Sequence, residues 1–181
     1  FGGQTPNHAD GVRTRYGKFA DALLEAYPVE SDGRAGKTAR DLMRDAAFGW
    51  QTWSWARLQS ANGKSNVFLY YFDQPQNGAE GSPHGQDVGF VFQHLDAGRS
   101  SQSDLALSGI MGDYWLNFAK YGDPNGDGLP VWPRFDSSSQ QAMHLTGPTP
   151  AAGPVPSLDA LNVLDGYFTW RRSPEGKAWA K

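Results

Sequence analysis

The stretch NVFLYYFD at residues 66–73, followed by GSPHGQDVGFVF at residues 81–92, decides how this chain is read. Val67 to Phe72 is a short, continuous apolar run of aromatic and β-branched residues. A strand covered on both faces reads this way, because neither face needs polar side chains. A loop rich in Gly, Pro and Asn follows, QPQNGAEGSPHGQD over residues 74–87, with His84 between Pro83 and Gly85. Open α/β sheets place their sites just beyond the carboxyl ends of strands. An imidazole on such a loop, supported by a rigid strand, can reach a nucleophile on a neighbouring loop. His84 is therefore the candidate catalytic base. His8, His94 and His144 lack that setting, and none stands at a spacing that reads as a zinc site.

Outward from this stretch the chain reads as mostly helical. Residues 1–11, FGGQTPNHADG, read as loop. A first helix is expected from Val12 to Ala26, with Tyr16, Phe19, Leu23, Leu24 and Tyr27 at helical spacing and Pro28 as its stop. Glu30–Gly36 reads as a polar turn. A second helix is expected from Lys37 to Ser60, carrying Leu42, Met43, Ala46, Ala47, Trp50, Trp53 and Leu58, with Asn62–Gly63 as its stop. A third is expected from Ser103 to Lys120, with Ser103 as N-cap and Ile110, Met111, Tyr114, Trp115 and Phe118 on one face. Gly122–Gly128 reads as a turn and Ala142–Leu145 as a short strand. Gly147–Ser157, GPTPAAGPVPS, reads as an irregular connection, and Leu158–Arg171 as a last helix. There is no internal repeat. Helix, helix, strand, histidine loop, helix is an order that belongs to an α/β sheet. One strong strand is too few for a complete sheet, and the chain opens on Phe1 rather than Met, so it reads as part of a larger unit.

Composition narrows the function classes. With 39% hydrophobic residues, including 7 Trp, 7 Tyr and 10 Phe, the chain has enough apolar surface for a core. Such aromatic richness also suits a carbohydrate- or aromatic-binding surface, although packing explains it as well. The 16 basic and 19 acidic residues are well mixed, for a net charge of −3, and no basic cluster exceeds Arg171–Arg172. A nucleic-acid groove needs a basic patch, so that class is set aside. No apolar run approaches the roughly 20 residues of a membrane span. The N-terminus shows no signal segment, and the compartment stays open. Cys is absent, which excludes disulfides, Cys-ligated metals and a Cys nucleophile. No cofactor is called for.

Three segments carry a family likeness. They are YYFDQ with GSPHGQDVGFVF, then GIMGDYWLNFAKYGDPNGDGLPVWPRFD at residues 109–136, then QQAMHL at residues 140–145. In order and spacing they resemble the C-terminal part of the type-B carboxylesterases, the cholinesterase-like branch of the α/β-hydrolases. The likeness rests on His84 with Asp87 three residues on, Val91–Phe92, Tyr114, Trp115, Asn117 and Phe118, Gly122 to Asn125, and Trp132–Pro133, and runs from about Asp45 to Leu145. It implies an α/β fold in which residues 1–181 are the C-terminal part of one α/β-hydrolase catalytic domain, with helices on the last strands of a mostly parallel sheet. It also implies serine-dependent hydrolysis of a carboxylic ester, with His84 as base.

The rest of that machinery is missing from the chain. In this fold the order is nucleophile, acid, histidine, with the nucleophile in GxSxG. GSPHG at residues 81–85 has Pro83 at the decisive position, and GKSNV at residues 63–67 ends in Val67. There is no HGGG-like oxyanion segment. By the resemblance the acid precedes the histidine by on the order of a hundred residues, which puts it upstream of Phe1. Asp10 and Asp32 are alternatives within the chain, each also explained as a loop, cap or turn residue. Asp87 stands too near His84 in sequence to orient its ring and reads as a structural ion pair or cap. The implied partners are an N-terminal part of the same domain and a small-molecule ester.

Other readings remain beside this one. Asp123, Asn125, Asp127 and Gly128 copy the start of a calcium loop, but its twelfth position is Arg134, and a turn explains these residues. Trp50, Trp53, Phe90 and Phe92 could shape an acyl or alcohol pocket, or simply fill the core. As a whole, the chain could instead be a non-catalytic cholinesterase-like adhesion domain or a free-standing binding module. Against the last stands the strand at 67–72, whose edges would lack partners.

Overall fold

The computed structural model describes residues 8–28, 35–75 and 81–179. Contacts divide the chain into two units, one made of Phe1–Trp55 with Ser157–Lys181 and the other of Ala56–Pro156.

The first unit is helical: α1 (His8–Tyr16), α2 (Ala20–Ala26), α3 (Ala35–Arg44), the start of α4 (Trp50–Asn62), α7 (Leu158–Arg172) and α8 (Pro174–Trp179). Of the opening segment read as loop, residues 1–7 lie outside the described residues, and His8 to Gly11 are helical. The single helix expected over Val12–Ala26 is broken by a 3-10 turn at Gly17–Phe19. Gly17 has φ +54°, a conformation that costs glycine little, and a Cβ there would meet the Trp179 ring at 3.2 Å. The helical face survives the break, with Val12, Tyr16, Ala20, Leu23 and Tyr27 all buried. Most of the expected turn at Glu30–Gly36 lies outside the described residues, while its last two residues already belong to α3.

The second expected helix is present, but a π-helical turn at Asp45–Gly49 separates α3 from α4. Asp45 in that turn is buried and accepts hydrogen bonds from Tyr27 Oη at 2.5 Å and Arg44 Nε at 2.7 Å. The extra residue in a π turn rotates the helix beyond it, so the apolar residues do not share one face. Leu42 and Trp53 are buried, whereas Met43 and Leu58 are exposed. Trp50 Nε1 donates to Asp165 at 3.0 Å, and the Trp50 and Phe168 rings lie 4.1 Å apart.

The second unit holds a sheet of three strands in the order β1 (Tyr70–Phe72), β2 (Gln141–Leu145), β3 (Ala151–Pro154). β1 runs parallel to β2, and β3 antiparallel to it. The strand expected over Val67–Phe72 forms its ladder only over the last three residues. Earlier backbone is tied all the same, since Val67 O accepts from Phe135 N at 2.7 Å and Leu69 O from Met143 N at 2.9 Å. β1 is half-buried rather than covered on both faces, and among the described residues it stands at an edge of the sheet. β3 lies within the segment expected to be irregular. Ala151 and Ala152 pair with His144 and Met143, and Gly153 fits against the His144 ring.

One face of the sheet is covered by α5 (Gln86–Val91) and α6 (Gln102–Tyr121). Phe90, Leu107, Met111, Tyr114, Trp132, Met143 and Leu145 form the core between them. Register puts Tyr70 beside Met143 and Phe72 beside Leu145, so these side chains meet the same core. α6 starts two residues earlier than expected. Its N-cap is Ser101, not Ser103, in a reciprocal capping box with Asp104. It ends where expected, at Gly122 with φ +70°. Among the described residues no helix is long and apolar enough to cross a membrane.

Candidate active site

Four elements meet where His84 sits: the end of β1, the loop after it, α5 and the start of α6. Of the loop, residues 76–80 lie outside the described residues. Its last part is a tight turn, closed by Gln86 N–H donating to Pro83 O at 3.2 Å. His84 is the first of the two central residues. Gly85, the second, has φ 81° and ψ 2°, the values that position takes in a type II turn. A residue with a Cβ would be strained at Gly85, so the sequence Pro83–His84–Gly85 builds a turn that presents the imidazole outward. Its side chain is exposed.

This turn is clamped to the end of β1. Ser82 Oγ donates to Gln74 O at 2.9 Å and Gln86 Nε2 donates to the same oxygen at 3.1 Å. One backbone carbonyl thus holds the chain two residues before and two residues after His84. Gln74 is in turn held by its own side chain, which is buried. Its Nε2 donates to Asp104 Oδ1 at 2.8 Å, and its Oε1 accepts from Gly147 N at 2.6 Å. Asp104 completes the set through Ser101 N–H and Ser101 Oγ, each at 2.8 Å from Oδ2. Burial acts to raise the Asp104 pKa, but the hydrogen bonds from Gln74 and Ser101 outweigh it and hold the carboxyl below the usual aspartate value.

Among the described residues Asp87 forms neither an ion pair nor a side-chain cap. It accepts a hydrogen bond from Tyr70 Oη at 2.9 Å, which fastens α5 to β1. Burial and this carboxylate both push the Tyr70 pKa upward. Asp10, the alternative acid, lies in the other unit and faces Arg13 Nη1 at 3.6 Å. Asp32 lies outside the described residues. His94 follows α5 and is exposed, while His144 in β2 places Nε2 2.8 Å from Pro154 O. His8 is in α1, with Nε2 buried. Asp123 and Asn125 spend their side chains inside the turn, where Asn125 accepts from Trp132 N at 2.7 Å and donates to Trp132 O at 3.0 Å. Among the aromatics, Trp53 and Phe90 are core, while Phe92 is exposed on the far end of α5.

The Carboxylesterase family profile matches residues 6–155. The chain belongs to the carboxylesterase family. That family has the α/β-hydrolase fold, and its match extends well beyond the residues on which the likeness was read. The chain is similar to bovine (Bos taurus) Carboxylesterase 4A, 37% identical over 115 residues, covering 58% of this chain and 20% of the relative. To human (Homo sapiens) Cocaine esterase it is 30% identical over 134 residues, 67% of this chain and 24% of the relative. To pig (Sus scrofa) Liver carboxylesterase it is 34% identical over 135 residues, 65% of this chain and 24% of the relative. The chain therefore spans between a fifth and a quarter of the length of these carboxylesterases.

Sequence reasoning singled out His84 as the candidate base but not Gln74, Ser82 or Gln86, which hold its turn. Only the Ser-x-x-Asp spacing at 101–104 carried a signal, that of a capping box. Nothing in a pattern of apolar spacing marks a buried glutamine after a strand.

Proposed function

We propose that this chain is the C-terminal part of an α/β-hydrolase catalytic domain and supplies His84 as the base of a serine carboxylic ester hydrolase. The nucleophile, the oxyanion donors and the triad acid come from an N-terminal part of the same domain, because the chain has no GxSxG. The observation that carries this reading is the turn that presents His84 at the carboxyl end of β1, within the family match and clamped on both sides to Gln74 O.

The chemistry is acyl transfer in two halves. His84 takes the proton of the Ser hydroxyl as that oxygen attacks the ester carbonyl, then gives it to the leaving alcohol. In the second half it takes a proton from water, which attacks the acyl enzyme and releases the acid. A base that acts twice must keep one position through both steps, and the double clamp supports that. The relatives' names point to ester substrates, and a small-molecule ester is the substrate class of this proposal.

In the complete protein, His84→Ala is expected to lower kcat for p-nitrophenyl acetate by roughly 10⁵ to 10⁶. A loss under about tenfold would remove His84 from the mechanism. This chain alone should not turn over the same ester, and steady hydrolysis by it would overturn the division of the site between two parts.

A further inference from the structure

Two donors meet on one oxygen beside the turn that carries His84. Ser82 Oγ and Gln86 Nε2 both donate to Gln74 O, at 2.9 and 3.1 Å. A carbonyl oxygen has two lone pairs, so this pair of bonds fills it. The turn between the donors has its own closing bond, from Gln86 N–H to Pro83 O. That bond fixes the shape of the turn but not its place against the strand end. The side chains of Ser82 and Gln86 add what it lacks, a tie from the turn to the end of β1. Behind the turn α5 is anchored separately, with Phe90 in the core and Asp87 accepting from Tyr70 Oη at 2.9 Å.

Gln86 is a poor residue for stability alone. Its Nε2 makes the bond to Gln74 O, while its Oε1 is buried and has no hydrogen-bond partner among the described residues. A neutral hydrogen bond and a stranded buried acceptor are of similar size and opposite sign, so the side chain contributes little to folding. What it does contribute is position, because Nε2 fixes the residue two places after His84 against the strand end. Ser82 Oγ does the same two places before it. The oxygen that both use is itself held, since the Gln74 side chain donates to Asp104 at 2.8 Å and accepts from Gly147 N at 2.6 Å.

We infer that Ser82 and Gln86 are a joint pair of positioning residues for His84, acting through Gln74 O, each able to hold the turn when the other is lost. The inference rests on the proposed role of His84 as base. A base must stand within hydrogen-bond reach of the hydroxyl it deprotonates, and a displacement of about 1 Å can cost about 100-fold in rate. Either bond alone still holds the turn on one side. With both gone, the turn keeps its shape and its connection to α5 but loses its fixed distance from β1. Loss of both bonds therefore costs more than the product of the single losses.

Ser82→Ala, Gln86→Met and the double variant of the complete polypeptide test it, with p-nitrophenyl acetate as substrate. Each single variant should lower kcat and kcat/KM together by about threefold, and the double variant by about 100-fold. Ser82→Thr, which keeps the hydroxyl, should recover most of the rate that Ser82→Ala loses. The urea midpoint should move little in all of them, because α5 keeps its anchors. A double variant no worse than the product of the singles would overturn the joint clamp. So would a fall in kcat that tracks a lower urea midpoint, since the role would then be structural. The NMR order parameter of the His84 amide gives a reading that needs no turnover. It should stay near about 0.85 in the parent and the single variants and fall below about 0.6 in the double variant. A rigid His84 in the double variant would overturn the inference even if activity fell. Hydrolysis that survives His84→Ala would instead reject the base, and the order parameters would then decide whether the pair holds the turn.

Discussion

Gln74 does two separable jobs through different atoms. Its backbone carbonyl clamps Ser82 and Gln86, and its side-chain amide joins Asp104 to Gly147. Gln74→Leu keeps the first and removes the second, leaving the Asp104 oxygen and the Gly147 N–H without that partner. The expected cost is about 1–3 kcal/mol, read as a lower urea midpoint with unchanged slope. Since the clamp on the turn survives, kcat of the complete protein should fall by under about tenfold. A hundredfold fall in kcat would mean that the side chain, not the carbonyl, positions His84. At this scale the sequence pointed to a candidate base and was silent about its support. His84 is flanked by turn formers that are plain in the sequence, whereas the partners of Gln74 lie 30 and 73 residues away.

Elements were legible wherever local chemistry decides them. β2, α6 and α7 stand close to where apolar spacing puts them, and Gly122 ends α6 as expected. The start of α6 depends on which serine has a carboxylate three residues on, and Asp104 selects Ser101. Ser101→Ala is expected to destabilise by about 1 kcal/mol. Ser103→Ala should change stability by less than about 0.5 kcal/mol, and the reverse order in thermal unfolding would reassign the cap. The break between α1 and α2 and the π turn before α4 were not legible, because each answers a distant partner. The ring of Trp179 crowds Gly17, and Tyr27 holds the carboxylate of Asp45. β3 went unread for the same reason, since only β2 beside it makes a strand of Ala151–Pro154.

Over the whole molecule, stability should fall off at both ends of the pH scale. Asp104 is held below its ordinary value, so its contribution is complete above about 3.9, the unfolded value, and is lost as pH falls through the folded one. Asp104→Asn should flatten that acid limb in urea titrations taken below pH 4. Tyrosines govern the alkaline side. Burial pushes Tyr114 up to about 12, and burial with a carboxylate partner raises Tyr27 and Tyr70 as well. These contributions are present below about 10 and decline as pH rises, for Tyr114 between about 10 and 12. Tyr114→Phe should therefore lose less stability than the parent between pH 10 and 12, and an unchanged alkaline slope would exclude Tyr114 as a cause.

By itself the sequence determined the family, the helices around the histidine loop and His84 as the candidate base. Those depend on residue type and short-range spacing, which a chain carries without folding. Tertiary structure alone decided that Gln74 and Asp104 support the turn, that Asp87 accepts from Tyr70, and that among the described residues β1 stands at an edge of the sheet. Each of these is a contact between segments far apart in the chain, and hydrogen bonding or packing at that range leaves no period to read. The claim that His84 acts as a base sits between the two. Its turn is written in Pro83, His84 and Gly85, while the carbonyl that holds the turn in place belongs to the end of β1.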